Sequence, residues 1–186
     1  ALGTGNTLSV DGGTLRLGGF QQVFGAVNLL SGVLEQGTLS GTAFRLESGY
    51  VDALLTGTGQ LVKDSAGTVV LGNANTFTGG AWVKAGTLQL GVDGALSSGT
   101  LTVDGGLLAL GATTQTAGSV TLNGGSIRGG TLFADAYAVR AGEVSSVLSG
   151  SASLLKSGTG TVVLSGLNQY TGDTTVDAGR LILGGS

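Results

Sequence analysis

Arg16, Glu35 and Asp52 are the first residues of this 186-residue sequence whose types and spacing suit a reaction. Each stands three residues after a glycine: Gly13, Gly32 and Gly49. If those glycines mark equivalent corners of stacked strands, Glu35 and Asp52 approach to about 5 Å, the spacing of neighbouring strands. Two carboxylates about 5 Å apart are the equipment of a retaining glycosidase, one acting as nucleophile and the other as acid and base. The alternative is a surface charge ladder in which Arg16 offsets Glu35. The sequence favours the ladder, because no second carboxylate cluster, Asp-rich metal box or second arginine accompanies that column.

A second outward group has the chemistry of recognition. Arg45 and Glu47 share one strand face, Trp82 and Lys84 share the equivalent face two coils on, and Lys63 is a candidate to lie between. A lone Trp beside cations and a carboxylate suits a host-surface glycan or protein partner. The same arrangement also describes a solvated face with a cation over the ring. The positions 93 residues further on hold Ala138, Arg140, Thr175 and Asp177, so the group occurs once.

Other chemistries are removed by composition. The chain has no Cys, His or Met, which excludes Ser-His-Asp and Cys-His catalysis, the usual zinc sites, disulfides and haem ligation. No phosphate loop, dinucleotide fingerprint or tandem calcium nonapeptide occurs. The expectation is therefore no enzyme, no cofactor and no metal. Only 8 Lys and Arg at a net charge of −3 argue against a nucleic-acid partner, since that binding needs many phosphate-neutralising cations. No apolar run reaches the 18 or more residues of a spanning helix.

The elements that position these residues follow from the rest of the composition. Hydrophobic residues make up 41% and charged residues 10%, the reverse of a disordered chain. Thirty-eight glycines and a wealth of Thr, Val and Ser disfavour helix, while zero prolines suit a fully hydrogen-bonded ladder. A Gly-x-aliphatic element recurs with its Gly at 13, 32, 49, 67, 86, 106, 125, 142, 160 and 179, spaced by 17 to 20 residues. Two residues after these glycines come Leu15, Leu34, Val51, Val69, Leu88, Leu108, Ile127, Val144, Val162 and Leu181, an aliphatic set expected to form one core column. Aliphatic residues three before eight of the ten glycines, and apolar residues five before nine of them, complete two period-2 strands around a tight corner. Units this short cannot bury their own apolar faces, but a stack can. The pattern predicts an all-β fold, a right-handed parallel β-helix (β-solenoid) of about ten 17–20-residue coils. The variable coil length argues against the left-handed hexapeptide form.

The stack is duplicated. Residues 8–91 align with 101–184 at a constant offset of 93, with 37 identities in 84 pairs and no gap, and a single solenoid over 1–186 is expected. One coil in each copy is irregular: Asp64 and Ser157 fall where an inward aliphatic residue is due, after doubled Leu61-Val62 and Leu154-Leu155. A bulge or register slip follows there, and the orientations of Lys63 and Lys156 stay open. Phe77 and Tyr170, at equivalent places, read as packing aromatics.

Residues 57–91 and 150–184 resemble the autotransporter-associated β-strand repeat, the passenger-associated transport element of Gram-negative type V secretion. The second copy, Gly160-Thr-Val-Val-Leu through Asn168-Gln-Tyr-Thr-Gly172 to Ala178-Gly-Arg-Leu-Ile-Leu-Gly184, follows the family pattern more fully. The first departs with Phe77 for the Tyr and Ala81-Trp82 for the Thr pair. The resemblance implies a non-enzymatic β-helical stalk of an exported surface protein, at the cell surface or secreted. It further implies support of passenger folding and secretion, scaffolding of adhesion, and a translocator β-barrel elsewhere in the same precursor. The absence of Cys suits threading of an unfolded chain. Recognition of a host glycan or protein through Arg45, Glu47, Trp82 and Lys84 is the alternative, and self-association through the coil ends is a third reading.

Overall fold

The computed structural model describes residues 5–184. Its strands are short because each is one side of a coil. In Ala43–Leu46, for example, Phe44 and Leu46 are buried while Ala43 and Arg45 face solvent. Four residues bury two side chains, which stabilises nothing alone, so each strand pairs with the strand one coil on. Every pairing is parallel: Val27 stands beside Phe44, Phe44 beside Leu61, and Leu61 beside Ala81. Among the described residues there is no helix.

Two faces run the length of the stack. The first includes Thr7–Val10, Ala26–Leu29, Ala43–Leu46, Gln60–Lys63, Ala81–Val83 and Leu101–Val103. The second includes Thr14–Arg16, Val33–Glu35, Gly49–Val51, Thr68–Leu71 and Thr87–Leu90. In the middle of the chain, Leu107–Leu122 and Ser126–Val139 each run through the corners and contribute to every face, with register shifts around Gly111. The parallel β-solenoid expected from the sequence is the observed fold, with about nine full turns in place of ten coils.

At some corners only glycine fits. Gly32 has φ +106°, and a Cβ there would run into the carbonyl oxygen of Gly13 in the coil beneath. The missing prolines have the same cause, since the N–H groups of successive coils bond the carbonyls below, as Tyr50 does to Gly32 at 3.0 Å.

The third face is less regular. Gln21–Val23, Thr38–Ser40 and Leu54–Thr56 form their own small sheet, and beyond it the chain at 72–80 carries no strand. A side-chain amide takes over there. Asn75 accepts from the Leu55 N–H at 2.9 Å and donates to the carbonyl of Ala95 at 2.8 Å, linking the coils below and above. Two coils on, Gln115 bonds twice to the coil below, accepting from Leu96 N–H at 3.0 Å and donating to Val92 O at 2.7 Å. A buried peptide group left without a partner costs about 1–3 kcal/mol, so these amides stand in for absent ladder bonds.

The ten aliphatic residues that follow the glycines do not stand in one column, contrary to expectation. Leu15 pairs with Leu34 and Leu34 with Val51. Val51 then stands beside Leu71, and Val69 over Gly49. The same break returns where Val144 stands beside Leu164 and Val162 over Gly142. The set is therefore split into Leu15 to Val51, Val69 to Val144, and Val162 with Leu181. Each break is a slip of two residues, which leaves side chains on the same side of the strand. Leu34, Val51, Val69, Leu88, Leu108, Ile127, Val144 and Val162 are buried, and Leu15 and Leu181 pack against the core half-buried.

Candidate functional site

The outward residues of the first face form the candidate site. Strand alternation aims Arg45, Val62, Trp82 and Thr102 away from the core, and the ladder sets them side by side in that order. Val62, not Lys63, therefore lies between Arg45 and Trp82, which corrects the sequence expectation. The reason is the irregular coil: its Leu61 and Lys63 face inward, so Asp64 falls on the corner and outside.

The four predicted residues separate into two clusters. In one, the Arg45 guanidinium pairs with Asp64 at 3.3 Å and with Glu47 at 3.5 Å. In the other, the ammonium of Lys84 lies 3.6 Å from the centre of the Trp82 ring, and the Trp82 indole N–H donates to Asp104 Oδ2 at 2.6 Å. The second cluster continues along the rod: Asn123 donates to Asp104 Oδ1 at 2.6 Å and accepts from Arg140. Asp64, Asp104, Asn123 and Arg140 were missed by sequence reasoning. Asp104, Asn123 and Arg140 each stand two residues before their corner glycine, as Glu47 and Lys84 do, so reading that column as a strip finds them.

The charges of the strip alternate from Lys84 to Asp104 to Arg140. It offers one aromatic ring and several planar hydrogen-bonding groups on strands about 4.8 Å apart. Arg16 and Glu35 stand opposite each other, joined by a 2.7 Å contact between Arg16 Nε and Glu35 Oε1. Glu35 is thereby an ion-pair partner.

The structure gives both lysines an orientation. Lys63 and Lys156 point inward and are fully buried. Lys63 donates to the carbonyls of Ser65 and Ala85, the latter at 3.2 Å, and to Ser65 Oγ at 3.0 Å. Lys156 donates to the carbonyls of Ser157, Gly158 and Ala178 at 2.8, 2.9 and 2.9 Å. Burial pushes the Lys63 ammonium below its ordinary pKa, while the negative charges of Asp64 and Glu47 pull it back up. Two aromatic contacts repeat in the same way, Phe44 with Phe77 and Tyr137 with Tyr170, each at 5.9 Å between ring centres.

The lysine coil, the strandless segment with its asparagine and the coil above them are the parts matched by the family profile of the passenger-associated transport repeat, at residues 61–90 and again at 154–183. The adhesin BmaC autotransporter of Brucella suis biovar 1 (strain 1330) is 37% identical over 139 residues. The chain is autotransporter passenger sequence. The match covers 73% of this chain and 4% of that adhesin's length. No solved structure matches. A passenger of this type is located at the cell surface or is secreted. Each transport repeat spans about a coil and a half of the solenoid, beginning on the first-face strand that carries the inward lysine and ending on the second-face strand one coil above.

Proposed function

We propose that this passenger segment is a non-enzymatic structural stalk that supports passenger folding and secretion and scaffolds adhesion. One observation carries the reading: the parallel ladder extends coil upon coil through both transport repeats, over an aliphatic interior that is closed through the first repeat and as far as Leu164 in the second. Such a stack grows by adding one coil at a time to the exposed edge of the last, and each addition removes Leu and Val from water at about 1.5–3 kcal/mol per side chain. Folding of this kind outside the cell makes back-sliding through the translocator β-barrel of the same precursor unfavourable. The similar Brucella protein is an adhesin autotransporter, which supports the adhesive side of the reading. The ion pair between Arg16 and Glu35 supports a charge ladder rather than a catalytic carboxylate.

Deleting the segment from its full-length parent, with surface display and adhesion scored separately, tests this. Display is expected to fall; undiminished display together with undiminished adhesion overturns the proposal. A second reading rests on the Trp82 strip, whose ring and planar polar groups suit a host-surface glycan or protein. Trp82 is the chain's single tryptophan, so a saturable fluorescence shift on titration with candidate glycans supports that reading, and a flat response counts against it.

A further inference from the structure

Alternation of apolar and polar residues fixes which way a strand faces, but not which of two registers two residues apart it adopts. In this chain the ambiguity is concrete. Aligning the corner glycines places Gly49 beside Gly67 and Val51 beside Val69. The structure instead places Gly49 beside Val69 and Val51 beside Leu71. Both registers bury Val and Leu against Val, so the aliphatic core does not choose between them.

What differs is the corner. Val62 stands beside Arg45 in the first face, which sets Lys63, one residue on, level with Leu46, and Val69 stands beside Gly49 in the second. The chain therefore spends positions 63 to 69 over a corner that takes 46 to 49 in the coil beneath. The second copy repeats this: Lys156 stands beside Val139, Val162 beside Gly142, and 156 to 162 spans what 139 to 142 spans below. Each widened corner holds a buried ammonium, and its own backbone supplies the acceptors, at Ser65 in the first copy and at Ser157 and Gly158 in the second. The coil above adds the carbonyls of Ala85 and Ala178 and closes over the ammonium with glycine. A Cβ on Gly86 or Gly179 would lie 2.7 Å from the lysine nitrogen in either copy.

We propose that Lys63 and Lys156 are register keys, inward ammonium groups that select the widened corner and so set the two-residue slip at each transport repeat. A buried cation tolerates only an arrangement that supplies it with acceptors. The widened corner turns carbonyls inward. Shortening it by two residues draws the Ser65 carbonyl away and leaves the ammonium among Leu and Val. A polar group of this kind specifies one arrangement at the expense of stability, as a buried Asn does at a coiled-coil seam. The proposal goes beyond the stalk reading, since it concerns how a repetitive chain finds one register whatever the passenger's task.

Disulfide trapping tests it without background, because the chain has no cysteine. Tyr50 and Val70 are neighbours across the observed ladder, and Thr68 takes the place of Val70 in the slipped register. Neighbouring strands bring Cα atoms to about 4.8 Å, whereas a two-residue offset holds them about 8 Å apart, outside disulfide reach. One protein carries Tyr50→Cys with Val70→Cys and another Tyr50→Cys with Thr68→Cys, each folded reduced and then oxidised. With Lys63 present, only the 50–70 pair is expected to close. In a Lys63→Met background the 50–68 pair is expected to become a major product, with the melting temperature unchanged or raised. A Lys63→Met protein that still closes only 50–70 overturns the proposal. So does one that loses its β-sheet circular dichroism, because the lysine is then required for stability and not for choice of register. Lys156→Met, read with Glu143→Cys paired to Val163→Cys or to Thr161→Cys, repeats the test in the second copy.

Discussion

At Lys63 and Lys156 the two halves of the molecule use the same inward ammonium in the same widened corner, while one coil further on Trp82 and Lys84 face solvent where the second half has Thr175 and Asp177. The interior agreement goes further. Asn75 and Asn168 each accept from the backbone N–H of a leucine one coil below, Leu55 and Leu148. The Phe44–Phe77 and Tyr137–Tyr170 pairs cross at 53° and 52°. Outside, Arg45 is matched by Ala138, and Glu47 by Arg140. In a stack each inward group must fit the coils above and below, whereas an outward group meets water on one side. The comparison teaches that the coil interior sets the scaffold and the exterior is free to carry a surface chemistry in one half only.

The largest effect is expected from charging the interior. Leu108 is fully buried, between Leu88 and Ile127 in the ladder. Leu108→Asp places a carboxylate in a dry aliphatic run with no cation to meet it. A loss of about 4 kcal/mol or more is expected, read as collapse of the cooperative thermal transition. Survival of that transition would mean that the inward and outward assignment, and with it the whole contrast between the halves, is wrong.

A smaller effect separates the two interiors where they do differ. Phe44 has no proton to lose, but its counterpart Tyr137 is buried with its hydroxyl 2.6 and 2.8 Å from the carbonyls of Leu132 and Ser149. Burial raises its pKa to about 12; the nearby Tyr170 adds to the rise, and hydrogen bonds to the Ser149 and Ala134 backbone oppose it. The unfolded tyrosine releases its proton near 10.0. Between pH 10 and 12 the unfolded state therefore binds fewer protons than the folded one, and stability falls as pH rises. The loss expected across that window is on the order of 2 kcal/mol. Urea midpoints measured below and above the window check it, and Tyr137→Phe is expected to flatten that part of the slope.

Much of this was legible in the sequence, for physical reasons that name its limits. Period-2 alternation around corner glycines reports what is buried, so a parallel stack could be read from Leu34, Leu88 and their equivalents. The irregular coil could be located because Asp64 and Ser157 interrupt that pattern. The slip itself could not be resolved, since a shift of two preserves facing and only the hydrogen-bonding needs of Lys63 distinguish the registers. Corner glycines were a misleading ruler there: the chain from Lys63 to Val69 takes three residues more than the corner beneath it, one before Gly67 and two after, so counting from Gly67 misplaces the strands on both sides. The strip of Asp104, Asn123 and Arg140 escaped notice because these residues sit at the corner, where alternation ends and side chains of successive coils meet edge to edge. The work of Asn75 in place of a ladder bond leaves no mark in the alternation, only in the duplication that repeats it at Asn168.

The smallest effect is expected from the exterior. The Arg45 side chain is 57% exposed and its partners Glu47 and Asp64 lie at 3.5 and 3.3 Å on the rim of the corner. Ion pairs in such a setting contribute about 0–1 kcal/mol, since water screens the charges and ordering two long side chains offsets much of the attraction. Arg45→Ala is therefore expected to change stability by less than about 0.5 kcal/mol, with the difference shrinking further in high salt, as thermal melts at two ionic strengths would read. The molecule already contains the comparison: Ala138 occupies the place of Arg45 in the second half, between Thr121 and Leu155 in an unbroken ladder. A coil that stacks as well with alanine as with arginine at that place does not draw its stability from the arginine. A loss of about 2 kcal/mol on Arg45→Ala would instead tie the outward cluster to the register of the lysine coil beside it, through Asp64, and end the separation of scaffold from surface.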